Sequence, residues 1–248
     1  MSYYYIKTTT TKNRLYVWRY SYPVYYGFPK TARQLETYEK KLEGTKQGNS
    51  LYRSQMNAKL LVETNYTPYM KFLTLTYANA AAGREQVVKD FNAFAKRYKR
   101  DFGYKLKYLY TMERANKKGS YIDDNGKKRT YTNRWHVHAV LFHERFIPVR
   151  DLKRTWGHGK VKINAVDDPI NIGLYLVKYI TKDAVALNKK GYISSLGLTQ
   201  PHIERSPNAL DFDKSLFDFY TTYSRKFIDK QGIERTQVAE LFEISLIK

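Results

Sequence analysis

The sequence predicts an α+β fold, and three observations carry that prediction. Residues 71–77 and 134–142 are short runs of β-branched, aromatic and apolar residues without Gly or Pro, the composition of strands. Residues 83–102 instead repeat Val87, Val88, Phe91, Phe94, Ala95 and Tyr98 at helical spacing. Turn chemistry joins two pairs of strand-like runs into antiparallel hairpins. One pair meets near Asp123-Asp124-Asn125-Gly126 and the other at Asp229-Lys230-Gln231-Gly232.

The elements follow in order. Residues 1–29 are rich in Tyr and Thr, and 15–20 reads as a strand before Pro23, Gly27 and Pro29 break the pattern. From 31 to 63 the chain is highly charged. Helical stretches at 32–42 and 50–62, parted by Gly44 and Gly48, read as an arm held to the core by Leu35, Leu51, Met56, Leu60 and Leu61. In the 71–77 strand Phe72, Thr74 and Thr76 share one face and Leu73 and Leu75 the other. The 83–102 helix ends in Lys96, Arg97, Lys99 and Arg100, cations that suit a helix C-terminus.

A strand at 105–113 sends Leu106, Tyr108, Tyr110 and Met112 to one face and Lys107, Leu109, Thr111 and Glu113 to the other. Residues 115–133 are polar and read as the connection to the 134–142 strand. A helix starts near Pro148, with Val149, Leu152 and Trp156 on one face. Gly157-His158-Gly159 makes a turn into a strand at 160–166, and a helix is expected over 170–184. The hairpin at 219–247 is expected to extend or cap the sheet. Three parts result: an N-terminal strand and helical extension (1–65), a core (66–204) and a C-terminal hairpin extension (205–248), together one compact domain.

Composition narrows the function. The chain of 248 residues has 44 Lys and Arg against 23 Asp and Glu, a net charge of +21, and 24 tyrosines. Cationic surface interleaved with aromatic rings suits single-stranded nucleic acid: charge follows phosphates and rings stack on bases. An anionic membrane surface fits less well without an amphipathic anchor, and no apolar run approaches the roughly 20 residues of a membrane span. Cysteine is absent, which excludes disulfides, thiolate metal sites and a Cys nucleophile and fits a reducing cytoplasm. No Gly-x-x-x-x-Gly-Lys-Ser/Thr loop is present, so no nucleotide-driven helicase is expected in this chain.

Two constellations carry chemistry. In Trp135-His136-Val137-His138-Ala139 the two imidazoles project from one strand face, a ready pair of ligands for a divalent metal. The alternative is a pair of strand histidines meeting solvent or a backbone carbonyl. On the 170–184 helix, Tyr175, Tyr179 and Lys182 share one stripe, while Gly173, Val177, Ile180 and Ala184 form the opposite, apolar one. The alternative there is a core-flanking helix with half-buried phenols.

Phe72-Leu73-Thr74-Leu75-Thr76, His136-Val137-His138 and Tyr175-x-x-x-Tyr179-x-x-Lys182, in this order, resemble the three motifs of HUH endonucleases of the rolling-circle replication initiator type. The two-tyrosine form is similar to initiators of small single-stranded DNA phages and Gram-positive mobile elements. The resemblance covers about 70–200. It implies a central antiparallel sheet flanked by helices, with the histidines on a middle strand and the tyrosine helix beside the metal site.

The same resemblance implies a third metal ligand from an acidic residue on the adjacent strand. Glu113 fits best, with Asp123 and Asp124 next, while His143 points to the opposite strand face from the histidine pair. It implies Mn²⁺ or Mg²⁺, with the imidazoles favouring Mn²⁺ by ligand softness. It implies a 5′-phosphotyrosine formed by Tyr179, with Tyr175 as a second nucleophile and Lys182 favouring the phenolate. The expected partners are a single-stranded DNA origin, often presented as a hairpin, and a host polymerase and helicase, in the cytoplasm of a bacterial host. A transposase or relaxase of the same chemistry, and a non-catalytic DNA-binding protein of this fold, are the rival readings.

Overall fold

A computed structural model of the protein describes residues 2–26, 46–78, 83–122, 125–142, 145–166, 169–180, 191–209, 213–229 and 231–246. In chain order the elements begin with β1 (Ser2–Thr10), β2 (Arg14–Tyr26), α1 (Lys46–Thr64), β3 (Lys71–Tyr77) and α2 (Arg84–Phe102). There follow β4 (Tyr108–Ile122), β5 (Lys128–Leu141), α3 (Val149–Trp156), β6 (Gly159–Ala165) and α4 (Pro169–Val177). The chain continues through β7 (Ile193–Ser194), β8 (His202–Ser206), a 3₁₀ turn at Lys214–Leu216, β9 (Phe219–Ile228) and β10 (Glu234–Ser245). The molecule is thus α+β, with two antiparallel sheets and, among the described residues, four α-helices. Contacts divide the chain into two compact units, 44–199 and 1–43 joined with 200–248.

In the 44–199 unit the strand order is β6-β3-β5-β4-β7, which makes the histidine strand β5 the middle one of five. Alternation along β5 feeds two cores. Val137, Ala139 and Leu141 face α2 and α3, packing with Phe91, Phe94, Tyr98, Tyr110 and Trp156. Val140, beside Phe72 and Leu109, faces α1 and α4, packing with Ala58, Leu61, Val62, Leu176 and Ile180. Each such fully buried side chain contributes on the order of 1.5–3 kcal/mol.

Between α3 and β6 the chain turns through Gly159, where a Cβ would fall 2.3 Å from the Thr76 carbonyl oxygen, so only glycine lets β6 start against β3. Arg97, expected to serve the end of its own helix, instead donates from Nε to the Thr155 carbonyl (2.8 Å) and from a terminal nitrogen to the Trp156 carbonyl (3.0 Å). It caps the neighbouring helix α3.

The other unit is a sheet of order β8-β1-β2-β10-β9, so strands from both chain ends interleave. The 219–247 hairpin forms as expected, but it pairs with β2 rather than extending or capping the histidine sheet. The register supplies the reason: β10 lays Leu241 and Phe242 against Trp18 and Val17, and a small apolar cluster of Ile6, Val17 and Phe242 forms on one face.

Two further expectations are corrected. The polar stretch 115–133 is largely strand, because β4 and β5 continue as a two-stranded ribbon to Ile122 and from Lys128. Such a ribbon needs no apolar alternation to pair. The tyrosine helix stops at Val177 rather than running to 184, and Lys178, Tyr179 and Ile180 follow with i→i+3 hydrogen bonds. The expected helix at 32–42, Asp123, Asp124, His143, Lys182 and Ala184 lie outside the described residues.

Candidate active site

The site is built on the sheet face that looks toward α1 and α4. Pairing sets its centre: His138 lies across from Thr74 on β3 and Thr111 on β4, and His136 across from Thr76 and Glu113. Since paired residues share a face, one register brings Thr76, His136, His138, Thr111 and Glu113 together.

Each imidazole is held differently. Thr76 Oγ1 stands 3.1 Å from His136 Nδ1, which orients that ring and leaves Nε2 turned the other way. The two imidazoles lie nearly parallel, with ring centroids 6.2 Å apart and planes 11° apart. His138 is buried, and neither of its ring nitrogens has a hydrogen-bond partner. The Glu113 carboxylate is its polar neighbour, with Oε2 3.4 Å from Nε2 but out of line for a hydrogen bond. Burial, and then the adjacent His136, push the His138 imidazole down to about 3, and burial with the Arg134 charge lowers His136. Both rings are neutral at ordinary pH, the form that donates a lone pair to a metal.

The tyrosines arrive from above. The Tyr179 ring stacks on His138 at 3.6 Å with planes 16° apart. Its hydroxyl donates to the Tyr175 hydroxyl oxygen at 2.7 Å. Phe72 supports both, edge-on to Tyr175 at 5.0 Å and stacked toward His138 at 6.1 Å. Burial, the Tyr175 hydrogen bond, and the charges of Tyr175 and Glu113 all hold the Tyr179 phenol above the ordinary tyrosine range. Tyr179 owes its place to two side chains that capture the helix-end carbonyls. Gln55 Nε2 donates to the carbonyls of Val177 (3.4 Å) and Ile180 (3.1 Å), and Thr111 Oγ1 to those of Tyr179 (3.3 Å) and Gly191 (2.8 Å). On the buried side, Gly173 lets α4 approach α1, since a Cβ there would meet Lys59 Cγ at 3.3 Å.

Tyr175, Tyr179, His136, His138 and Glu113 are therefore neighbours, and Lys182 lies outside the described residues. Among the described residues no three His, Asp or Glu side chains are drawn tightly enough together to form a metal cage as they stand. The donor set nonetheless suits a divalent cation: two neutral imidazoles, one with orphaned buried nitrogens, beside a half-exposed carboxylate. The sequence reading missed Gln55 and Thr111 as supports of the tyrosine segment. Thr111 shares parity with Glu113 and was within reach of that pattern, whereas nothing in the sequence marks Gln55.

The matched segment of the chain covers all five gathered residues: 70–184 fits the family model of the replication-associated protein ORF2. That match supports a role in DNA replication. More narrowly, it points to a rolling-circle replication initiator. No curated protein matches the chain.

Proposed function

We propose that the protein is a DNA nicking and joining enzyme that initiates and terminates rolling-circle replication through a 5′-phosphotyrosine of the HUH type. The observation that carries the reading is the juxtaposition of two hydrogen-bonded tyrosines with a stack of neutral imidazoles and a carboxylate. His136, His138 and Glu113 would hold Mn²⁺ or Mg²⁺, which when bound supplies positive charge to a phosphate oxygen as negative charge builds there. The substrate is a single-stranded origin, and host polymerase and helicase extend the exposed end.

The chain's own residues do the rest. Tyr179 Oη attacks phosphorus, a bond to the phenol oxygen forms, and the bond to the 3′ oxygen breaks. The phenolic proton ends, in balance, on the departing 3′ oxygen, leaving a free 3′-OH. Before attack that proton lies on the hydrogen bond to Tyr175, so its exit begins there. The raised pKa of Tyr179 makes the unaided phenol a poor nucleophile, which is the work left to the cation and to Lys182. Tyr175 then serves as the second nucleophile for strand transfer, and the phosphodiester energy stays in the covalent link.

A trapping experiment tests this. The protein is incubated with a single-stranded DNA library and Mn²⁺, denatured, and the protein-linked DNA is recovered. The expected result is DNA joined through its 5′ phosphate, lost in Tyr179→Phe and in His138→Ala. In Tyr175→Phe the adduct persists but few closed circles are released. An adduct of normal yield in both Tyr179→Phe and His138→Ala would overturn the reading.

A further inference from the structure

The 1–43/200–248 unit carries a surface that the nicking chemistry does not use. Register divides its sheet into two faces. On one face lie Ile6, Val17, Arg19, Glu240, Phe242, Tyr220 and Glu204. On the other lie Lys7, Trp18, Tyr20, Ala239, Tyr223, Arg205 and Arg225.

On this second face the rings run in a row across strands. Tyr223 contacts Trp18 at 5.9 Å, Trp18 stacks with Tyr20 at 6.4 Å, Tyr20 meets Tyr4 at 5.7 Å and Tyr4 meets Tyr26 at 5.7 Å. Ala239 makes the row continuous. It is the β10 residue between Tyr20 and Tyr223, and its small side chain lets rings from β2 and β9 meet across the intervening strand. Arg205 closes the other end, its guanidinium 5.0 Å above Tyr26 and 5.7 Å above Tyr4. The row ends in exposed rings, 42% of Tyr223 and 40% of Tyr26.

Charge is sorted between the faces. The acids of β8, β9 and β10 fall on the first face, where Glu240 pairs with Arg19 and Lys214 and Glu234 with Lys226. The exception, Glu243, is buried and bound by Arg14 at 2.7 Å. The aromatic face is thus left with Lys7, Arg205 and Arg225 around its rings. Two copies of a face with that charge repel each other, whereas a polyanion with flat, stackable groups complements both features.

We propose that the Tyr223–Trp18–Tyr20–Tyr4–Tyr26 row is a stacking platform for single-stranded DNA, with Arg205 and Arg225 on its phosphates, separate from the cleavage residues. It holds strand flanking the cut, and its binding is indifferent to the metal.

The test uses the full chain in EDTA, so that binding is read without cleavage. A thymidine 20-mer carrying 5-iododeoxyuridine is photocrosslinked and the attached peptides are mapped. Crosslinks to peptides bearing Trp18, Tyr20 or Tyr223 are expected; crosslinks confined to 44–199 overturn the proposal. In fluorescence anisotropy, Tyr223→Ala/Arg225→Ala should weaken the 20-mer about tenfold, the worth of one stacked base. Tyr220→Ala, a solvent-exposed ring on the opposite face of the same strand, should leave it unchanged. Equal affinity for both variants, or a dimer in light scattering that fails to crosslink, overturns the proposal. The adduct assay reports on Tyr179 independently, so failure of the nuclease reading leaves these crosslinks in place, and the reverse.

Discussion

At the scale of the residue, the histidine pair was the most legible part of the protein. A strand has a side-chain period of two, so His136 and His138 had to share a face. The same parity delivered Thr76 and Glu113 once the strand pairing was known. What parity could not give is depth: His138 is buried with no hydrogen bond to either nitrogen. A pH dependence follows. Unfolded imidazoles take up a proton near 6.5, whereas burial holds His138 down to about 3 in the fold and lowers His136 as well. The unfolded state therefore binds more protons in that window. Stability present above pH ~6.5 is lost as the pH falls toward about 3. The melting temperature of the metal-free protein should drop between pH 7 and pH 5, and His138→Gln should show a shallower drop. Parallel curves for the two would assign the loss to other groups.

At the scale of the element, the tyrosine segment shows where sequence reading stops. Helical spacing placed Tyr175 and Tyr179 on one side and Gly173 and Ile180 on the other, and their burial agrees, with Leu176 fully enclosed between. The helix end was not legible, because it is set by Gln55, more than a hundred residues away, and by Thr111. Side chains that reach carbonyls from such distances leave no local pattern. The close approach at Gly173 gives this element a test. Gly173→Leu forces a side chain into Lys59 and should cost about 1–3 kcal/mol, the usual penalty of overpacking. The denaturation midpoint should fall and adduct formation should slow, since both tyrosines ride on the displaced segment. A variant with an unchanged midpoint would mean that α1 yields at no cost.

At the scale of the whole molecule, the excess of cations is concentrated in 44–199, while the tyrosine-rich strands build the other unit. In that second sheet β2, β9 and β10 were readable from composition and turn residues, but their partnership was not. Nothing local tells β10 to pair with β2, more than two hundred residues earlier. A chain ending at Thr199 keeps β1 and β2 and loses β8, β9 and β10. A lone two-stranded hairpin is marginal in water, so the amides of 2–26 should lose protection from hydrogen exchange while those of β3 and β5 keep it. Retained protection in 2–26 would show that the hairpin stands without its C-terminal partners. The same split governs birth on the ribosome. Synthesis is vectorial, and after Thr199 a ribosome adding roughly 5–20 residues per second needs a further few seconds, about 2–10 s, to reach Lys248. During that interval the cleavage residues can already have met, while the earliest-made tyrosines wait with their strand edges unpaired. The nascent chain is then an enzyme without its second grip, and most exposed to sticking to its neighbours.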